Sequence, residues 1–532
     1  MKGVEFMSGQ NHLVHWADNT ADRIIRQKGD KDTYVVASGI TPSGVVHFGN
    51  FREVITVDLV ARALRSRGKK VRFIFSWDNY DTFRKIPVDM PNQELLKKHL
   101  FQPIVDTPDP HGVEENYASA SIKSFESQLE KVGIEVDFLY QADKYRNREY
   151  VEGIATTLKN TDTVRKILDQ HRKEPLAKDW LPLSVYCDGC NTDNKITNLK
   201  WDGENALSYH CDNCTSDHTI DLKTTTKVKL PWREDWPMRW AFEKVDFEPG
   251  GKDHSSQGGS YTTAKELAAE VYSYQPPVYL QYDFVSVKGG GGKMSSSAGN
   301  VITVNDVLKV YEPEMVRWIF ASYKTNVDFS ISFDLDVLKT YEDFDRQERL
   351  AYGLDLGNEK KTNMAKRVLE LSQVGQIPEV CPIQPSFRHL CNILQINDFN
   401  IDVAKKYYAD SIKSPRDQRR FEQRSECAKF WIENYAPDEF KFQINKGKID
   451  IEMNDVEKSF VTNLKDVLGS DWDKFETDKD LHEKMYEIIH TLEVKPAEVF
   501  PVMYKHLINR EKGPKLAGFI KSIGKERVIS LL

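Results

Sequence analysis

Four cysteines have the spacing of a zinc site. Cys187 and Cys190 form one C-x-x-C pair and Cys211 and Cys214 form a second, with residues 191–210 between the pairs. Each pair can form a tight turn that presents two thiolates, and two such turns complete a tetrahedral site. With seven cysteines in 532 residues, the chain has too few for a disulfide scaffold. We therefore expect a structural Zn²⁺ whose four ligands leave no position open for catalysis.

The neighbouring residues leave alternatives open. His210 and His218 flank the second pair and could each replace a cysteine as a ligand. The four thiols could also be buried without a metal, but the doubled C-x-x-C spacing favours metal binding. Cys381, Cys391 and Cys427 lack this spacing, and we expect them to be thiols in a hydrophobic core.

A glycine-rich turn lies where a phosphate-binding site would be expected. The segment 38–50 reads SGITPSGVVHFGN and separates a short β-branched run from a long helical pattern. Glycines in such a turn let a ligand approach the backbone, and the helix N-terminus offers unpaired N–H groups to an anion. The segment lacks the G-x-G-x-x-G pattern of dinucleotide-binding proteins. On this segment alone, His47 would be read as a core histidine beside a turn.

A second segment supplies a cation and several hydroxyl groups. Four glycines, Gly289–Gly292, precede Lys293, Met294 and Ser295–Ser297. A P-loop is excluded because Met294 stands where Ser or Thr must bind Mg²⁺ and Val287 stands where the first glycine belongs. A flexible loop with one lysine and several hydroxyls is suited to closing over a triphosphate while charge moves to the leaving pyrophosphate.

Together these segments resemble the two signatures of the class I aminoacyl-tRNA synthetases. Residues 47–50, in the form H-x-G-N, resemble the H-I-G-H signature, and residues 293–297 resemble K-M-S-K-S with Ser296 in place of the second lysine. The stretches that resemble class I lysyl-tRNA synthetases in particular are SWDNYD at 76–81 with RK at 84–85, LPWREDWPMRW at 230–240, GGKDHSSQGGS at 250–260, YAP at 435–437 and GPKL at 513–516. The resemblance therefore spans almost the whole chain.

This resemblance implies a lysine–tRNA ligase. Such an enzyme activates L-lysine with ATP to lysyl-adenylate, releases pyrophosphate and transfers lysine to the 3′ end of tRNA(Lys). Catalysis would depend on positioning and electrostatics, with His47, Asn50 and Lys293 stabilising the phosphates and Mg²⁺ bridging them. The implied ATP-binding residues are Pro42, His47, Gly49, Asn50, Asp253, His254, Lys293, Ser295, Ser296 and Ser297.

The resemblance also implies an amino-acid pocket. Its expected lysine-binding residues are Gly39, Thr41, Glu53, Asp78, Trp232, His254 and Tyr282. In the glutamyl and glutaminyl relatives, an arginine falls on Ala37 and a small residue falls on Glu53. Because Asn50 and Glu53 are one helical turn apart, and a buried ammonium needs a paired anion, Glu53 is the predicted partner of the lysine side chain.

Alternatives remain for the residues of this pocket. Glu53 could merely complement the positive end of the helix dipole. Asp78 and Asp81 could pair with Arg84 or bind the α-ammonium of the substrate. The tryptophans of segment 232–240 could be core aromatics.

Two other functions are compatible with parts of the sequence. One is a glutamyl-type class I synthetase or another nucleotidyltransferase with the same ATP-binding signature. The other is a zinc-ribbon RNA-binding protein with a vestigial nucleotide fold, which the presence of His47, Asn50 and Lys293 disfavours.

Strand and helix patterns alternate in the first half of the chain. The predicted strands are Thr33–Ser38, Val71–Trp77 and Ile134–Tyr140, with further strand patterns near Trp236 and at 278–287, and the predicted helices are 50–67 and 115–131. This alternation predicts a parallel sheet with its site at the carboxyl ends of the strands. From about Tyr341 the pattern is helical.

The predicted architecture is therefore a Rossmann-like α/β nucleotide-binding catalytic domain with a zinc-ribbon insertion, followed by an all-α anticodon-binding domain. The expected boundaries are 1–180 for the first half of the catalytic domain, 181–225 for the insertion, 226–340 for the second half with the loop after Gly289 and a stem-contact region, and 341–532 for the helical domain.

The composition excludes several classes of protein. The chain has 74 Lys and Arg residues against 81 Asp and Glu, which gives a formal net charge of -7. That balance excludes a protein that coats nucleic acid indiscriminately, because such proteins need a basic surplus to displace counterions. No apolar run approaches the ~18 residues that cross a bilayer, and residues 1–20 lack the apolar core of a signal peptide. We expect a cytoplasmic monomer without membrane association.

Two basic stretches and several aromatic residues are candidates for binding tRNA. The cationic residues near the C-terminus are Lys505, Arg510, Lys512, Lys515, Lys521, Lys525 and Arg527. They outnumber Glu511 and Glu526, a local surplus suited to one specific RNA partner. The run 416–424 is a second candidate, unless it is a solvated helix face. The candidate stacking residues, which could also be core aromatics, are Phe430, Trp431, Tyr435, Phe440 and Phe442.

Overall fold

The computed structural model describes residues 15–88, 90–256, 258–289 and 301–532, which divide into two compact units. The first unit comprises Met1–Leu308, Pro313–Ile331 and Gln347–Glu379. The second comprises Lys309–Glu312, Ser332–Arg346 and Val380–Leu532.

The strands of the described residues all precede residue 332. They are β1 (Thr33–Ile40), β2 (Lys70–Trp77), β3 (Asp137–Tyr140), β4 (Ser184–Val185), β5 (Ile196–Trp201), β6 (Ala206–Cys211), β7 (Ser216–Asp221), β8 (Val228–Lys229), β9 (Phe247–Gly251), β10 (Val278–Tyr282), β11 (Val285–Val287) and β12 (Phe329–Ile331).

Helices occur along the whole described chain. They are α1 (Trp16–Lys28), α2 (Phe48–Arg65), α3 (Gln93–Lys97), α4 (Tyr117–Lys131), α5 (Gln141–Arg146), α6 (Val151–Lys159), α7 (Thr161–Asp169), α8 (Trp232–Glu243), α9 (Ser260–Glu270), α10 (Val304–Leu308), α11 (Pro313–Ser322), α12 (Asp336–Ala351), α13 (Glu359–Ser372), α14 (Phe387–Ile396), α15 (Ile401–Lys406), α16 (Pro415–Asn434), α17 (Asp455–Asp471), α18 (Asp478–Thr491), α19 (Pro496–Ile508), α20 (Leu516–Ile523) and α21 (Lys525–Leu531). Among the described residues, no helix is long and apolar enough to cross a lipid bilayer.

Five parallel strands form the central sheet of the first unit. Their order is β10-β9-β1-β2-β3. β1 pairs with β2 along its whole length, and on its other side it pairs with β9 at Val36 and Phe247. The order of the strands reverses between β1 and β9, so the carboxyl ends of these two strands border a crevice where ligands bind in sheets of this kind. The predicted α/β fold with a parallel sheet is confirmed.

The predicted elements are present with shifted boundaries, and one is wrong. The helix expected over 50–67 begins at Phe48, and the run 278–287 is divided into β10 and β11. The segment near Trp236 is helix α8 rather than a strand. Its tryptophans recur every four residues, which places them on one helical face, and this period outweighs the strand preference of the individual residues.

Helix α2 crosses the core of the first unit and carries a buried carboxylate. Asp58 binds Arg62 at 2.8 Å and also binds Arg317, which has no exposed surface. Arg317 donates to the carbonyl oxygens of Val132 and Leu371, both at 3.0 Å. Burial acts to raise the pKa of Asp58, but the charges of Arg317 and Arg62 hold it below its usual value. The carboxylate is therefore compensated within the fold.

The cysteine-rich insertion is a three-stranded antiparallel sheet in the order β5-β6-β7. β4 and β8, which precede and follow it, pair with each other, so the insertion begins and ends at neighbouring strands. Leu207 and Tyr209 of the insertion belong to one hydrophobic cluster with Tyr80, Tyr145 and Met238 of the surrounding unit. The insertion and the sheet region therefore share a core.

A buried arginine forms ion pairs in the interior of the second unit. Arg424 of α16 has no exposed surface and binds Glu312 at 2.6 Å and Asp345 at 2.8 Å. Arg420 lies 3.1 Å from Glu312 and is also largely buried. Buried arginines with two carboxylate partners hold helices together rather than binding phosphate. The prediction that the run 416–424 forms a phosphate track is therefore wrong for these two residues.

Several further candidates in the second unit are core residues. Trp431 has no exposed surface, and its indole N–H donates to the carbonyl of Phe333 at 2.9 Å, so it is not available to stack on a base. Cys391 and Cys427 are buried, as predicted, whereas Cys381 is half-buried.

Candidate active site

A cavity of about 410 Å³ lies at the carboxyl ends of β1, β9 and β10. Its position is the point where the strand order reverses, and its volume is within the range of ligand pockets, about 300–1,000 Å³. The residues that line it are Gly39, Ile40, Thr41, His47, Gly49, Asn50, Glu53, Asp78, Asp81, Trp232, Gly251, Asp253, His254, Tyr282, Phe284 and Val285.

His47 and Asn50 cap the N-terminus of α2 reciprocally. Nδ1 of His47 accepts a hydrogen bond from the Asn50 N–H at 3.3 Å, and the Asn50 side-chain oxygen accepts one from the His47 N–H at 3.1 Å. The arrangement explains the spacing of the H-x-G-N segment, because a capping pair is three residues apart. It also places both side chains beside backbone N–H groups and the positive end of the helix dipole, where an anion is stabilised.

Glu53 lies one turn further along α2, and two donors fix its carboxylate. Oε1 accepts from the Gly39 N–H at 2.9 Å, and Oε2 accepts from the Tyr282 hydroxyl at 2.7 Å. Burial raises the pKa of Glu53 to about 8; the two donors oppose this shift, and the charges of Glu248 and Asp78 add to it. Among the described residues Glu53 has no cationic partner. A cationic ligand would therefore complete the charge balance.

Asp78, in contrast, is already paired. It accepts from Arg239 at 2.6 Å, and the same guanidinium lies 3.3 Å from Asp235. The pairing of Asp78 with Arg84 that the sequence left open is wrong, because Arg84 binds Asp193 at 2.8 Å. The partner of Asp78 is Arg239 of α8 instead, which lies about 160 residues away in the sequence, so spacing does not indicate it.

Asp81 lines both this cavity and a second, neighbouring cavity. It binds Lys229 of β8 and accepts from the Thr41 hydroxyl at 2.9 Å. The second cavity has a volume of about 440 Å³ and shares Thr41, Asp81 and Trp232 with the first. The exposed side chains of Arg84 and Lys85 line its outer part.

Helix α8 supplies an aromatic wall. The rings of Trp232 and Trp236 stack with their centroids 5.0 Å apart, and the ring of His254 lies 6.4 Å and 6.0 Å from them. Trp240 continues the row inward at 4.7 Å from Trp236. Trp232 lines the cavity, whereas Trp236 and Trp240 are buried, so the core alternative holds for those two.

The structure brings most of the predicted site residues into this one cavity. They are Gly39, Thr41, His47, Gly49, Asn50, Glu53, Asp78, Trp232, Asp253, His254 and Tyr282. Pro42 is buried and is not among the described lining residues. Lys293, Ser295, Ser296 and Ser297 lie outside the described residues.

Four lining residues were not predicted: Ile40, Gly251, Phe284 and Val285. Gly251 lies in the GGKDH stretch, and a Cβ atom at this position would lie 2.5 Å from the Asp253 carboxylate. That doubled glycine before a charged run is a signal that sequence reasoning could have used. Phe284 and Val285 carry no distinctive chemistry, and the sequence offers no comparable signal for them.

The four predicted metal ligands meet in the insertion. The sulfur atoms of Cys187, Cys190, Cys211 and Cys214 all lie within 4.8 Å of one another. The closest pairs are 3.5 Å and 3.7 Å apart, near the ~3.8 Å expected between thiolates that bind one zinc ion tetrahedrally. The Gly189 N–H donates to the Cys187 sulfur at 3.3 Å, as in loops that stabilise thiolates. This cluster could bind a metal ion.

The two histidine alternatives differ in the structure. Nε2 of His218 lies 3.5 Å from the Cys187 sulfur and 3.6 Å from the Cys214 sulfur, so this ring contacts the cluster. His210 is paired with carboxylates instead, at 2.8 Å from Asp217. The possibility that His210 replaces a cysteine ligand is therefore wrong.

Comparison with known proteins gives a consistent result. A family described as "tRNA synthetases class I (K)" matches residues 14–375. The chain is 46% identical to the lysine--tRNA ligase of Borrelia garinii subsp. bavariensis over 97% of this chain and 98% of that protein. It is 43% identical to that of Treponema pallidum over 98% of each chain, and 40% identical to that of Thermococcus kodakarensis over 98% of this chain and 99% of that protein.

The raised pKa of Glu53 predicts a pH-dependent stability difference. Between pH 4.5 and about 8 the folded protein retains a proton on Glu53 that the unfolded chain releases, so this group lowers stability as the pH rises. Glu53→Gln removes the titration. We expect the ligand-free variant to gain in melting temperature over the wild type as the pH is raised from 5 to 8, measured by thermal unfolding.

The control is Glu130→Gln, which removes an exposed carboxylate. Its melting temperature should follow that of the wild type at every pH. A difference between Glu53→Gln and wild type that is constant with pH, or that narrows as the pH rises, would contradict the buried, unpaired state of Glu53.

Proposed function

The chain belongs to the class I tRNA synthetase family for lysine and is a lysine–tRNA ligase, and on that premise we propose that lysine is activated in the cavity at the ends of β1 and β9. The lysine carboxylate attacks the α-phosphorus of ATP, pyrophosphate leaves, and lysine then passes to the 3′-terminal ribose of tRNA(Lys). The observation that carries the location is the Glu53 carboxyl group, which has two hydrogen-bond donors but no cationic partner among the described residues. A primary ammonium supplies the missing charge.

The proposed orientation of lysine follows from the walls of the cavity. The side-chain ammonium binds Glu53, and the aliphatic part packs against Trp232. The α-ammonium points towards Asp78, beside the backbone of Gly39 and the hydroxyl of Thr41. The carboxylate then faces the N-terminus of α2, where ATP binds.

The proposed ATP site is the N-terminus of α2. Its backbone N–H groups, His47 and Asn50 favour the phosphates, and Gly49 lets them approach closely. Asp253 and His254 border the same cavity from the end of β9. From the sequence we also assign Pro42, Lys293, Ser295, Ser296 and Ser297 to the ATP site. Mg²⁺, when bound, neutralises the charge of the phosphates.

A glutamyl-type activity is not favoured. Ala37 stands where the glutamyl and glutaminyl relatives have an arginine, and this alanine is buried in the sheet. A glutamate side chain in the cavity would face Glu53 without a cation to separate the two carboxylates. Desolvating two unpaired like charges is strongly unfavourable.

The tRNA has two proposed contact regions, one in each unit. In the first unit, the 3′ end of the tRNA enters the second cavity, where Arg84 and Lys85 contact its phosphates. Asp81 lines both this cavity and the cavity in which lysine binds. In the second unit, a groove of about 600 Å³ is lined by partly exposed aromatic rings and cations, namely Phe440, Phe442, Arg388, His389, Arg510, Lys512 and Lys515. Stacking surfaces beside cations suit single-stranded anticodon bases and their phosphates.

The four cysteines are proposed to hold a structural Zn²⁺. Four thiolates close the coordination shell, so the metal stabilises the insertion and takes no part in the reaction. Because the insertion shares its core with the catalytic unit, metal loss would disturb β8 and Lys229 as well.

The charging reaction tests the proposed function. With ATP and bulk tRNA, the purified protein should attach labelled lysine and not labelled glutamate. Glu53→Gln keeps acceptor and donor atoms near Gly39 and Tyr282 but removes the charge. We expect its KM for lysine to rise about tenfold or more while the KM for ATP changes less than about twofold. Equal increases in both KM values would refute the assignment of Glu53.

The groove of the second unit predicts a tRNA-specific defect. Lys512→Ala and Lys515→Ala should each raise the KM for tRNA several-fold, leave the KM values for lysine and ATP unchanged, and reduce the salt slope of tRNA binding by about one. Lys479→Ala is the control, because Lys479 is exposed in the same unit and is not among the groove residues. Equal effects of all three variants would argue against the groove.

The zinc proposal predicts one tightly bound zinc ion per chain. Cys211→Ser should abolish binding and lower the melting temperature by about 5 °C or more, measured by elemental analysis and thermal unfolding. Cys381→Ser should retain the metal, since that thiol is outside the cluster. Wild-type protein that is fully stable after its metal has been removed would contradict a structural role.

A further inference from the structure

Beside Glu53 lies a smaller cavity, here called the inner chamber. Its volume is about 60 Å³, and its walls include Gly39, Glu53, Trp236, Arg239 and Glu248. Residues 39, 53, 78, 232 and 254 line both the inner chamber and the active-site cavity, so the two are adjacent. The inner chamber has room for an ammonium group and ordered water but not for a large side chain.

Glu248 is a buried carboxyl group in this chamber. It lies in β9, is 8% exposed and accepts a hydrogen bond from the Trp240 indole N–H at 2.6 Å. Burial raises the pKa of Glu248 to about 7, against the opposing influence of the Trp236 and Trp240 indoles and of Arg239, while the charge of Asp78 adds to the increase. Among the described residues Glu248 forms no ion pair.

The arginine that lines the inner chamber is already paired with carboxylates. Arg239 binds Asp78 at 2.6 Å and lies 3.3 Å from Asp235, so its charge is shared by two carboxylates. Glu53 and Glu248 remain, and the charge of Glu248 raises the pKa of Glu53 further. Two carboxyl groups, one buried and one half-buried, therefore line one small cavity without a cationic partner among the described residues.

We propose that Glu248 is a second specificity-determining residue, which together with Glu53 binds the side-chain ammonium of lysine in the inner chamber. This inference rests on the proposed function and deepens it, because the sequence and the active-site cavity point to Glu53 alone.

An ammonium group has three N–H donors, and each needs an acceptor once water is excluded. Glu53 already accepts from Gly39 and Tyr282, so part of its capacity is used. Glu248 supplies further acceptor atoms in the same chamber. Two carboxylates also set the selectivity, because a neutral side chain of the same length cannot compensate their charge.

The competing explanation is that Glu248 serves only as a buried acceptor for Trp240. Glu248→Gln separates the two roles, because the amide oxygen still accepts the indole N–H while the charge is lost. We expect the KM for lysine to rise about tenfold or more, with the KM for ATP and tRNA within about twofold of wild type. Competitive inhibition by 6-hydroxynorleucine, a neutral analogue, should weaken much less than lysine binding does.

Glu234→Gln is the matched control. Glu234 of α8 is buried, burial raises its pKa to about 8, and it forms no ion pair among the described residues, but it lines neither the inner chamber nor the active-site cavity. This variant should keep the wild-type KM for lysine. If Glu248→Gln folds and keeps the wild-type KM for lysine, the inference is overturned. If the wild-type enzyme itself does not charge tRNA with lysine, the proposed function fails instead.

Calorimetry of the unaltered enzyme gives an independent measurement that needs no variant. Glu53 and Glu248 line the same chamber as Asp78 and Arg239, and Tyr279 of the adjacent strand lies near both glutamates. At pH 6 both glutamates carry protons before lysine binds, and both ionise when the ammonium arrives. Binding measured in two buffers of different ionisation enthalpy should release about two protons. Release of one proton or fewer would overturn the role of Glu248.

Discussion

The hydrogen bond from the Gly39 N–H to the Glu53 carboxylate joins the end of β1 to the beginning of α2. Several other features of the first unit keep this carboxylate in place. A Cβ atom at position 39 would lie 3.1 Å from the Ser76 side chain, so glycine lets β1 and β2 stay paired up to the site. The reciprocal cap of His47 and Asn50 fixes where α2 begins, and hence where Glu53 points. Two hydrogen-bond donors therefore hold this half-buried carboxyl group, and it has no cationic partner among the described residues.

The carboxyl groups in the interior of the protein differ in whether an arginine is paired with them. Asp58 and Asp345 are each paired with a buried arginine, and their partners tie several elements together. Asp78 is paired within the site. Glu248 is 8% exposed and Glu53 is half-buried, and neither has such a partner among the described residues. Glu234 of α8 is also buried without an ion pair among the described residues, but it lines neither cavity, whereas Glu53 and Glu248 both line the inner chamber. Burial without a cation is therefore combined with access to a cavity at Glu53 and Glu248.

Much of the fold could be predicted because its signals are local. The β-branched run of β1, the glycine turn and the helical period of α2 are contiguous in sequence, and so is the C-x-x-C spacing. The strand prediction for the segment at Trp236 is wrong because the residue types favour a strand, whereas packing of one aromatic face against the sheet favours a helix. The prediction that Arg424 belongs to a phosphate track is wrong for a related reason. The sequence shows a basic run, but the carboxylates that pair with Arg424 come from positions 312 and 345. Glu248 could not be predicted, because the sequence does not indicate that this charge is buried and that Trp240 of α8, eight residues earlier, donates to it.

The core that the cysteine-rich insertion shares with the rest of the first unit restricts how this protein can change over evolution. The paired strands β4 and β8 bring the ends of the insertion side by side, so a deletion could be closed by a short turn. Such a deletion would nevertheless strip Tyr80, Tyr145 and Met238 of their packing partners and expose an apolar surface beside the site. The polypeptide around the four cysteines is therefore not a removable module. A descendant that lost the cysteines would be expected to keep the insertion and refill its centre with apolar side chains.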